Sequence, residues 1–200
     1  ILCMAMLRVP KGQHVLLKAL ARMTDLPWQL VLAGDGPARA DLVALTARLG
    51  LADRVLFTGM AQGAEWRWLY RNAQLFALAP VYMEACGNAL LEAQAAGLPV
   101  VTSDAGSVPE VVSHESALIV PVGKVPFPDE APILPKLEAA LRRALTDAGL
   151  RQSLGIGGRE RAHDLTWERC ANAYLNALAD RKINHGDRGV LGGLSTTASP

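Results

Sequence analysis

The chain has little of what would tie it to a metal, a disulfide framework or a membrane. Its three cysteines, Cys3, Cys86 and Cys170, lie far apart and form no CxxC pair. We therefore expect free thiols in a reducing compartment rather than a zinc site or disulfides. No apolar run approaches the roughly 20 residues of a membrane-spanning helix, and no signal peptide is recognised at the start.

An excess of either charge is also missing. The 20 Lys and Arg residues nearly balance the 19 Asp and Glu residues, and neither sign forms a block. This balance argues against a general nucleic-acid surface, so we expect no nucleic-acid partner. A local cationic pocket for one phosphate ligand is still compatible with the balanced charge. With 50% hydrophobic residues, the 200-residue chain is typical of one globular domain with a real core.

Several catalytic signatures are absent from the sequence. There is no P-loop, no G-x-S-x-G elbow and no Asp-x-Asp pair that would bridge a metal to a diphosphate. The four histidines show no metal-ligand spacing. We therefore expect neither a metal ion nor a cofactor.

Short apolar runs alternate with longer amphipathic segments along most of the chain. This alternation predicts an α/β fold with a Rossmann-like, doubly wound parallel sheet. A domain is expected over 1–180, and the Gly-, Ser- and Thr-rich residues 181–200 are expected to form a disordered tail. The predicted strands are Ile1–Ala5, Trp28–Ala33, Arg54–Phe57, Gln74–Ala79, Pro99–Thr102 and Ala117–Val120. The predicted helices are Gly12–Met23, Pro37–Leu49, Glu65–Asn72, Asn88–Ala96, Val108–Val112, Pro135–Asp147, Leu150–His163 and Trp167–Asp180, with a Pro-rich loop at Val122–Pro135.

The segment after the fourth predicted strand has the most informative chemistry, because ligands of doubly wound sheets bind beyond the carboxyl ends of the strands. Glu84 precedes the next helix and Glu92 lies a little over one turn inside it, so both carboxylates can face the same opening. Between them, Gly87 and Asn88 begin the helix, whose free N–H groups suit a phosphate. A nucleotide sugar needs this combination, but a glutamate favoured by the helix dipole alone is equally compatible with the spacing.

Glu84 and Glu92, with seven residues between them, resemble the E-x7-E motif of the glycosyltransferase group 1 family, also called glycosyltransferase family 4. Further segments follow in the family's order: 33–37, 55–59, 91–101 and 109–112. The resemblance covers about Ile1 to Ala179. It implies that the chain is the C-terminal half of a GT-B fold, and that the N-terminal acceptor domain is absent.

The resemblance implies a role for each matching position. Glu92 would hold the ribose hydroxyls of the donor, and Glu84 would contact the donor sugar. Main-chain N–H groups would bind the phosphates and the sugar, and one side chain would lie against the nucleobase. The positions implied for these last contacts are Gly87, Asn88, Ala89 and Leu90 for the N–H groups and Met60 for the base.

Arg8 and Lys11 follow the first predicted strand, where two cations suit a diphosphate. A solvated Lys-Gly turn that opens a helix is the alternative. In the family, an Arg and a Lys neutralise the leaving phosphate. Lys11 matches that place well, whereas the commonest family pattern has its Arg two positions before Arg8, where Met6 stands.

The resemblance implies a retaining, hexosyltransferase-like and metal-independent enzyme, which moves a glycosyl group from a nucleotide-diphosphate sugar to an acceptor hydroxyl. Departures at Val81 and at Ala85-Cys86 leave the sugar open. Family habit suggests a lipid-linked or surface-glycan acceptor and a cytoplasmic protein, with attachment to the inner face of the membrane left open. Alternatives are a non-catalytic nucleotide-sugar-binding module or another GT-B enzyme, such as a sugar-nucleotide epimerase. Without an acceptor domain, we expect the chain to bind donor but not to transfer alone.

Overall fold

The computed structural model describes residues 1–123 and 129–180, so the predicted tail at 181–200 lies outside the described residues. The chain divides into two compact units, Ile1–Leu165 and Thr166 onward. In the second unit, the described residues after Thr166 form one helix, Trp167–Asp180. The Thr166 hydroxyl accepts the main-chain N–H of Arg169 at 3.2 Å, which caps the start of this helix.

The first unit is built on a six-stranded parallel sheet. Its strands are β1 Leu2–Met4, β2 Leu30–Ala33, β3 Val55–Gly59, β4 Phe76–Leu78, β5 Val100–Ser103 and β6 Ala117–Val120. Their spatial order is β3-β2-β1-β4-β5-β6, and each neighbouring pair is parallel. Every residue of β4 and β5 is buried, as expected of strands covered on both faces. The prediction of an α/β, doubly wound parallel sheet is confirmed.

Helices connect the strands and cover the sheet. They are α1 Gln13–Ala21, α2 Arg39–Arg48, α3 Gly63–Asn72, α4 Asn88–Ala95, α5 Val108–Val111, α6 Leu134–Thr146 and α7 Ala148–Asp164. We number the terminal helix, Trp167–Asp180, α8. Within the first unit, α1 packs against α2 and α6, and α4 packs against α7. Each of these helices lies close to its predicted bounds.

Several bounds differ from the sequence prediction by about two residues, and two differences have a clear local cause or effect. α7 begins at Ala148, two residues before the predicted start, because the Asp147 side chain accepts the N–H of Leu150 at 2.8 Å and caps the helix. A short 3-10 helix, Val9–Lys11, was not predicted, and it shapes the loop after β1.

The cysteines agree with the expectation of free thiols. Cys3 lies in β1 inside the core, and burial raises the pKa of its thiol to about 12. Cys86 and Cys170 are exposed, and neither forms a disulfide. None of the three therefore contributes a covalent link to the fold.

The strand order places a crevice between β1 and β4. From β1 the chain builds outward through β2 to β3, and then returns to place β4 on the other side of β1. The loops after β1 and β4 therefore leave the sheet in opposite directions. Such a switch point is where open α/β sheets bind ligands, at the carboxyl ends of the strands.

Candidate functional site

The loop after β1 is held against the end of β4. Its 3-10 helix, Val9–Lys11, leads into Gly12, which has a φ of +71° and caps the start of α1. A Cβ on Gly12 would lie 1.8 Å from the carbonyl oxygen of Ala79, so the close approach of the two loops requires glycine. The N–H of Val81 also donates to Pro10 O at 2.9 Å. These contacts place Lys11 beside the segment that carries Glu84.

Lys11 and Glu84 form an ion pair in this crevice. The Nζ atom of Lys11 donates to Oε2 of Glu84 at 2.5 Å, and the Glu84 and Lys11 side chains are 8% and 29% exposed. A carboxylate this buried needs a partner for its charge, and the ammonium provides one. The structure thus brings together two of the three residues that the sequence predicted as catalytic.

The main chain at Glu84 is fixed by the loop after β5. The N–H of Ser107 donates to Glu84 O at 2.9 Å, and its hydroxyl lies 2.9 Å from the same oxygen and 2.7 Å from Ala85 O. A Cβ on Gly106 would lie 2.5 Å from main-chain atoms of Glu84. Ser107 was not predicted as a site residue, because nothing in its local sequence pattern indicates a partner 23 residues away.

The N-terminus of α4 lies immediately after this segment. Gly87, with a φ of +65°, is its N-cap residue, and no side chain caps the helix. Within the described chain, no main-chain oxygen accepts the N–H groups of Gly87, Asn88 or Ala89, whereas the N–H of Leu90 donates to Gly87 O at 2.8 Å. Three of the four predicted main-chain donors are therefore available to an anion, with the helix dipole adding positive potential.

Glu92 lies one turn further along α4 and is half-buried. Its Oε2 atom accepts the hydroxyl of Tyr70 from α3 at 2.8 Å. Burial raises the pKa of the Tyr70 phenol, and the nearby Glu92 charge raises it further, so the hydroxyl stays protonated as a donor. Tyr70 was not predicted as a site residue, because it precedes Glu92 by 22 residues and belongs to another helix.

Arg8 and Met60 lie in exposed positions at the same edge of the sheet. Arg8 precedes the 3-10 helix, and its side chain makes no ion pair with any residue that the structure describes. Met60 follows β3, which is two strands from β1, and is 64% exposed. Their predicted roles toward a donor stay predictions.

The described residues contain neither a metal-binding cluster nor a membrane-spanning helix. In ranges 1–123 and 129–180, no three His, Cys, Asp or Glu side chains are grouped so that they could hold a metal ion. None of the helices described there combines the length and the apolar character that crossing a bilayer requires.

Comparison with known proteins places this chain in a family. The family model described as glycosyl transferases group 1 matches residues 1–131. D-inositol 3-phosphate glycosyltransferase of Salinispora tropica is 33% identical over 157 residues, which are 78% of this chain and 31% of that protein. The lipopolysaccharide core biosynthesis glycosyltransferase LpsD of Rhizobium meliloti is 35% identical over 175 residues, which are 86% of this chain and 47% of that protein.

A solved structure supports the same assignment at the level of the fold. The crystal structure of HepE from Anabaena, in complex with UDP and glucose, superposes with a TM-score of 0.73 at 23% identity, over 90% of this chain and 48% of that one. The chain thus spans about a third to a half of the length of the relatives it matches. By its family match, the chain belongs to the glycosyl transferases group 1 family, and its sheet has the Rossmann-like arrangement of the GT-B fold.

Proposed function

We propose that this chain is the donor-binding half of a retaining glycosyltransferase, which transfers a glycosyl group from a nucleotide-diphosphate sugar to an acceptor hydroxyl. The observation that carries the proposal is the Lys11–Glu84 pair in the crevice between β1 and β4, next to the open N-terminus of α4. The fold shared with HepE, whose structure contains UDP and glucose, supports a nucleotide sugar as the donor.

The diphosphate would lie between Lys11 and the first turn of α4. As the glycosidic bond breaks, negative charge develops on the leaving diphosphate, and positive groups that are already in place lower the barrier. Lys11, the exposed Arg8 and the available N–H groups at 87–89 supply that charge. An ammonium has three donors, so Lys11 can bind a phosphate and keep Glu84. We propose that this arrangement works without a metal ion.

The two carboxylates would bind the hydroxyl groups on either side of the diphosphate. Glu84, at the head of α4, would accept a hydrogen bond from the transferred sugar, which we propose is a hexose that passes through an oxocarbenium-like state. Glu92 would accept the ribose hydroxyls, and Met60 would lie against the base. A hydrogen bond to a charged acceptor contributes about 1.5–3 kcal/mol, so each carboxylate is a measurable determinant of binding.

The location is proposed from the cysteines, and the acceptor is proposed from the name of a relative. Free thiols at Cys3, Cys86 and Cys170 are typical of a reducing compartment, and we propose a cytoplasmic location. The name of LpsD, which refers to lipopolysaccharide core biosynthesis, supports an acceptor hydroxyl on a lipid-linked or surface glycan.

Nucleotide binding tests the proposal directly. The melting temperature is measured with UDP, GDP and ADP, with and without EDTA, for the wild type, Glu92→Gln and Glu160→Gln. One nucleotide should raise the melting temperature of the wild type by mass action, whether or not EDTA is present. Glu92→Gln should weaken its binding by about 10- to 100-fold. Glu160→Gln is the matched control, because Glu160 lies exposed on α7. No stabilisation of a folded wild type by any of the three would contradict the proposal.

A further inference from the structure

The ring of Tyr70 is held rigidly between α3 and the sheet. Tyr70 is only 3% exposed. Its ring stacks on Phe76 of β4 at a centroid distance of 6.0 Å, and Trp66 meets it edge to face at 5.0 Å. Because both neighbours fix the ring plane, the position of the phenolic oxygen is fixed as well.

That oxygen points at α4. It lies 2.8 Å from Oε2 of Glu92 and 3.4 Å from the carbonyl oxygen of Ala89. A phenol has one proton to donate, and the shorter contact to a charged acceptor is the stronger bond. The Tyr70 hydroxyl therefore donates to Glu92, and Ala89 is at most a weak second acceptor.

The hydrogen bond leaves half of the Glu92 carboxylate open. Among the described residues, Tyr70 is the side chain that binds this carboxylate, and it contacts Oε2 alone. A carboxylate accepts about four hydrogen bonds in total, so Oε1 keeps its full capacity. A half-buried glutamate has several rotamers, and a rigid donor on one oxygen selects one of them.

From this geometry we infer that Tyr70 is a positioning residue for donor recognition: it holds Oε2 of Glu92 and thereby aims Oε1 at the ribose hydroxyls of the nucleotide. The inference rests on the proposed function, since it needs a ribose in front of Glu92. Phenylalanine would fill the same space in the core, and a buried hydroxyl without a partner would be unfavourable. The phenol is thus explained by its bond to Glu92. Preorganisation of this kind raises affinity because less freedom is lost on binding.

If the bond between Tyr70 and Glu92 served stability alone, its loss would weaken binding of nucleotides with and without ribose hydroxyls equally. Comparing nucleotides with and without these hydroxyls therefore distinguishes a positioning role from a purely structural one. Dissociation constants are measured by calorimetry for UDP, GDP and ADP and for their 2′,3′-dideoxy forms, with the wild type and Tyr70→Phe. The wild type should prefer the ribose form of its nucleotide by about tenfold or more. Tyr70→Phe should lose about tenfold in affinity for the ribose form and little for the dideoxy form, so that the preference collapses.

Two further variants serve as controls. Trp66→Phe disturbs the same aromatic cluster but keeps the Tyr70 hydroxyl, so it should keep the ribose preference. In a Glu92→Gln background, Tyr70→Phe should add little further loss, because both changes act on one contact. Should Tyr70→Phe not fold, Tyr70→Met fills the space with a flexible apolar side chain and must show the same collapse.

The outcomes separate this inference from the proposed function. A wild type that prefers ribose and a folded Tyr70→Phe that keeps the same preference would overturn the inference and leave the proposed function intact. A wild type that binds none of the three nucleotides would overturn both. A ribose preference that falls more in Trp66→Phe than in Tyr70→Phe would also overturn the inference, because packing rather than the hydroxyl would then be responsible.

Discussion

At the scale of single residues, the ion pair between Lys11 and Glu84 joins the loops after β1 and β4. The two residues are 73 positions apart in the chain. Removing one partner leaves the other charge in a poorly hydrated crevice, and this costs more than removing both. The pair therefore links stability to the site that is proposed to bind the donor.

We predict that Lys11→Met lowers the free energy of unfolding by about 1.5–3 kcal/mol, because Glu84 stays buried without its charged partner. Lys11→Met combined with Glu84→Gln should be less destabilised than the sum of the single variants. Urea unfolding of the wild type, the two single variants and the double variant measures the coupling energy between Lys11 and Glu84. Lys136→Met, at an exposed position of α6, is the control and should be nearly neutral. Additive losses would contradict a direct interaction.

Gly12 and Gly50 provide a matched pair for a second prediction. Their φ angles are +71° and +70°, but a Cβ on Gly12 would collide with Ala79 O, whereas a Cβ on Gly50 would meet nothing within 4 Å. Gly50→Ala should cost about 1–2 kcal/mol from backbone strain alone. Gly12→Ala should cost at least about 2 kcal/mol more and weaken nucleotide binding, because the loops must separate. Equal losses in urea unfolding would show that the close approach of the loops is unimportant.

At the scale of the elements, the pattern of the sequence was sufficient for the order and type of the helices and strands. β4 and β5 lie within the predicted strands Gln74–Ala79 and Pro99–Thr102 to within one residue, and α4 ends at Ala95, one residue before its predicted end. The 3-10 helix Val9–Lys11 was missed because three residues are too few to show a periodicity. The early start of α7 depends on one capping side chain, Asp147, rather than on apolar spacing.

The contacts between elements could not be predicted in the same way. Glu84 and Glu92 were found because they share one short segment, whereas Ser107 and Tyr70 act on them from other loops and helices. A single sequence carries no signal for such long-range hydrogen bonds. The strand order, which creates the crevice, is likewise a product of long-range pairing.

The link between the loops after β4 and β5 gives the third prediction. Ser107→Ala removes the hydroxyl that lies near Glu84 O and Ala85 O but keeps the main-chain bond, so the loss in stability should be about 1 kcal/mol. Affinity for the bound nucleotide should fall as well, because the segment before α4 loses a restraint. Ser153→Ala, exposed on α7, is the control in calorimetry and urea unfolding. Unchanged affinity would mean that the main-chain bond alone fixes this segment.

At the scale of the whole molecule, the features proposed for the donor lie at one edge of the sheet, on the loops after β1, β3 and β4 and in α4. Gly12 and Gly106 adopt positive φ angles where the loops after β1 and β5 approach the segment after β4, and Gly87 does so at the start of α4. All of the predicted site residues are assigned to the proposed donor, and none is assigned to an acceptor. The chain covers 31% of the length of one relative and 47% of another, so more than half of each of those proteins lies outside the match.

We therefore predict that the purified 200-residue chain binds its donor nucleotide but releases no nucleoside diphosphate from UDP-, GDP- or ADP-sugars in the presence of added acceptors. Fusion to the part of LpsD that lies outside the match should restore turnover, provided that this part brings an acceptor site to the donor crevice. In that fusion, Glu84→Gln should lower kcat by about 100-fold or more, and Glu160→Gln should leave it unchanged. A coupled assay for the released diphosphate measures each protein. Transfer by the isolated chain would contradict the prediction that it binds donor without transferring the sugar. Full turnover by the Glu84→Gln fusion would show that Glu84 has no role in the mechanism.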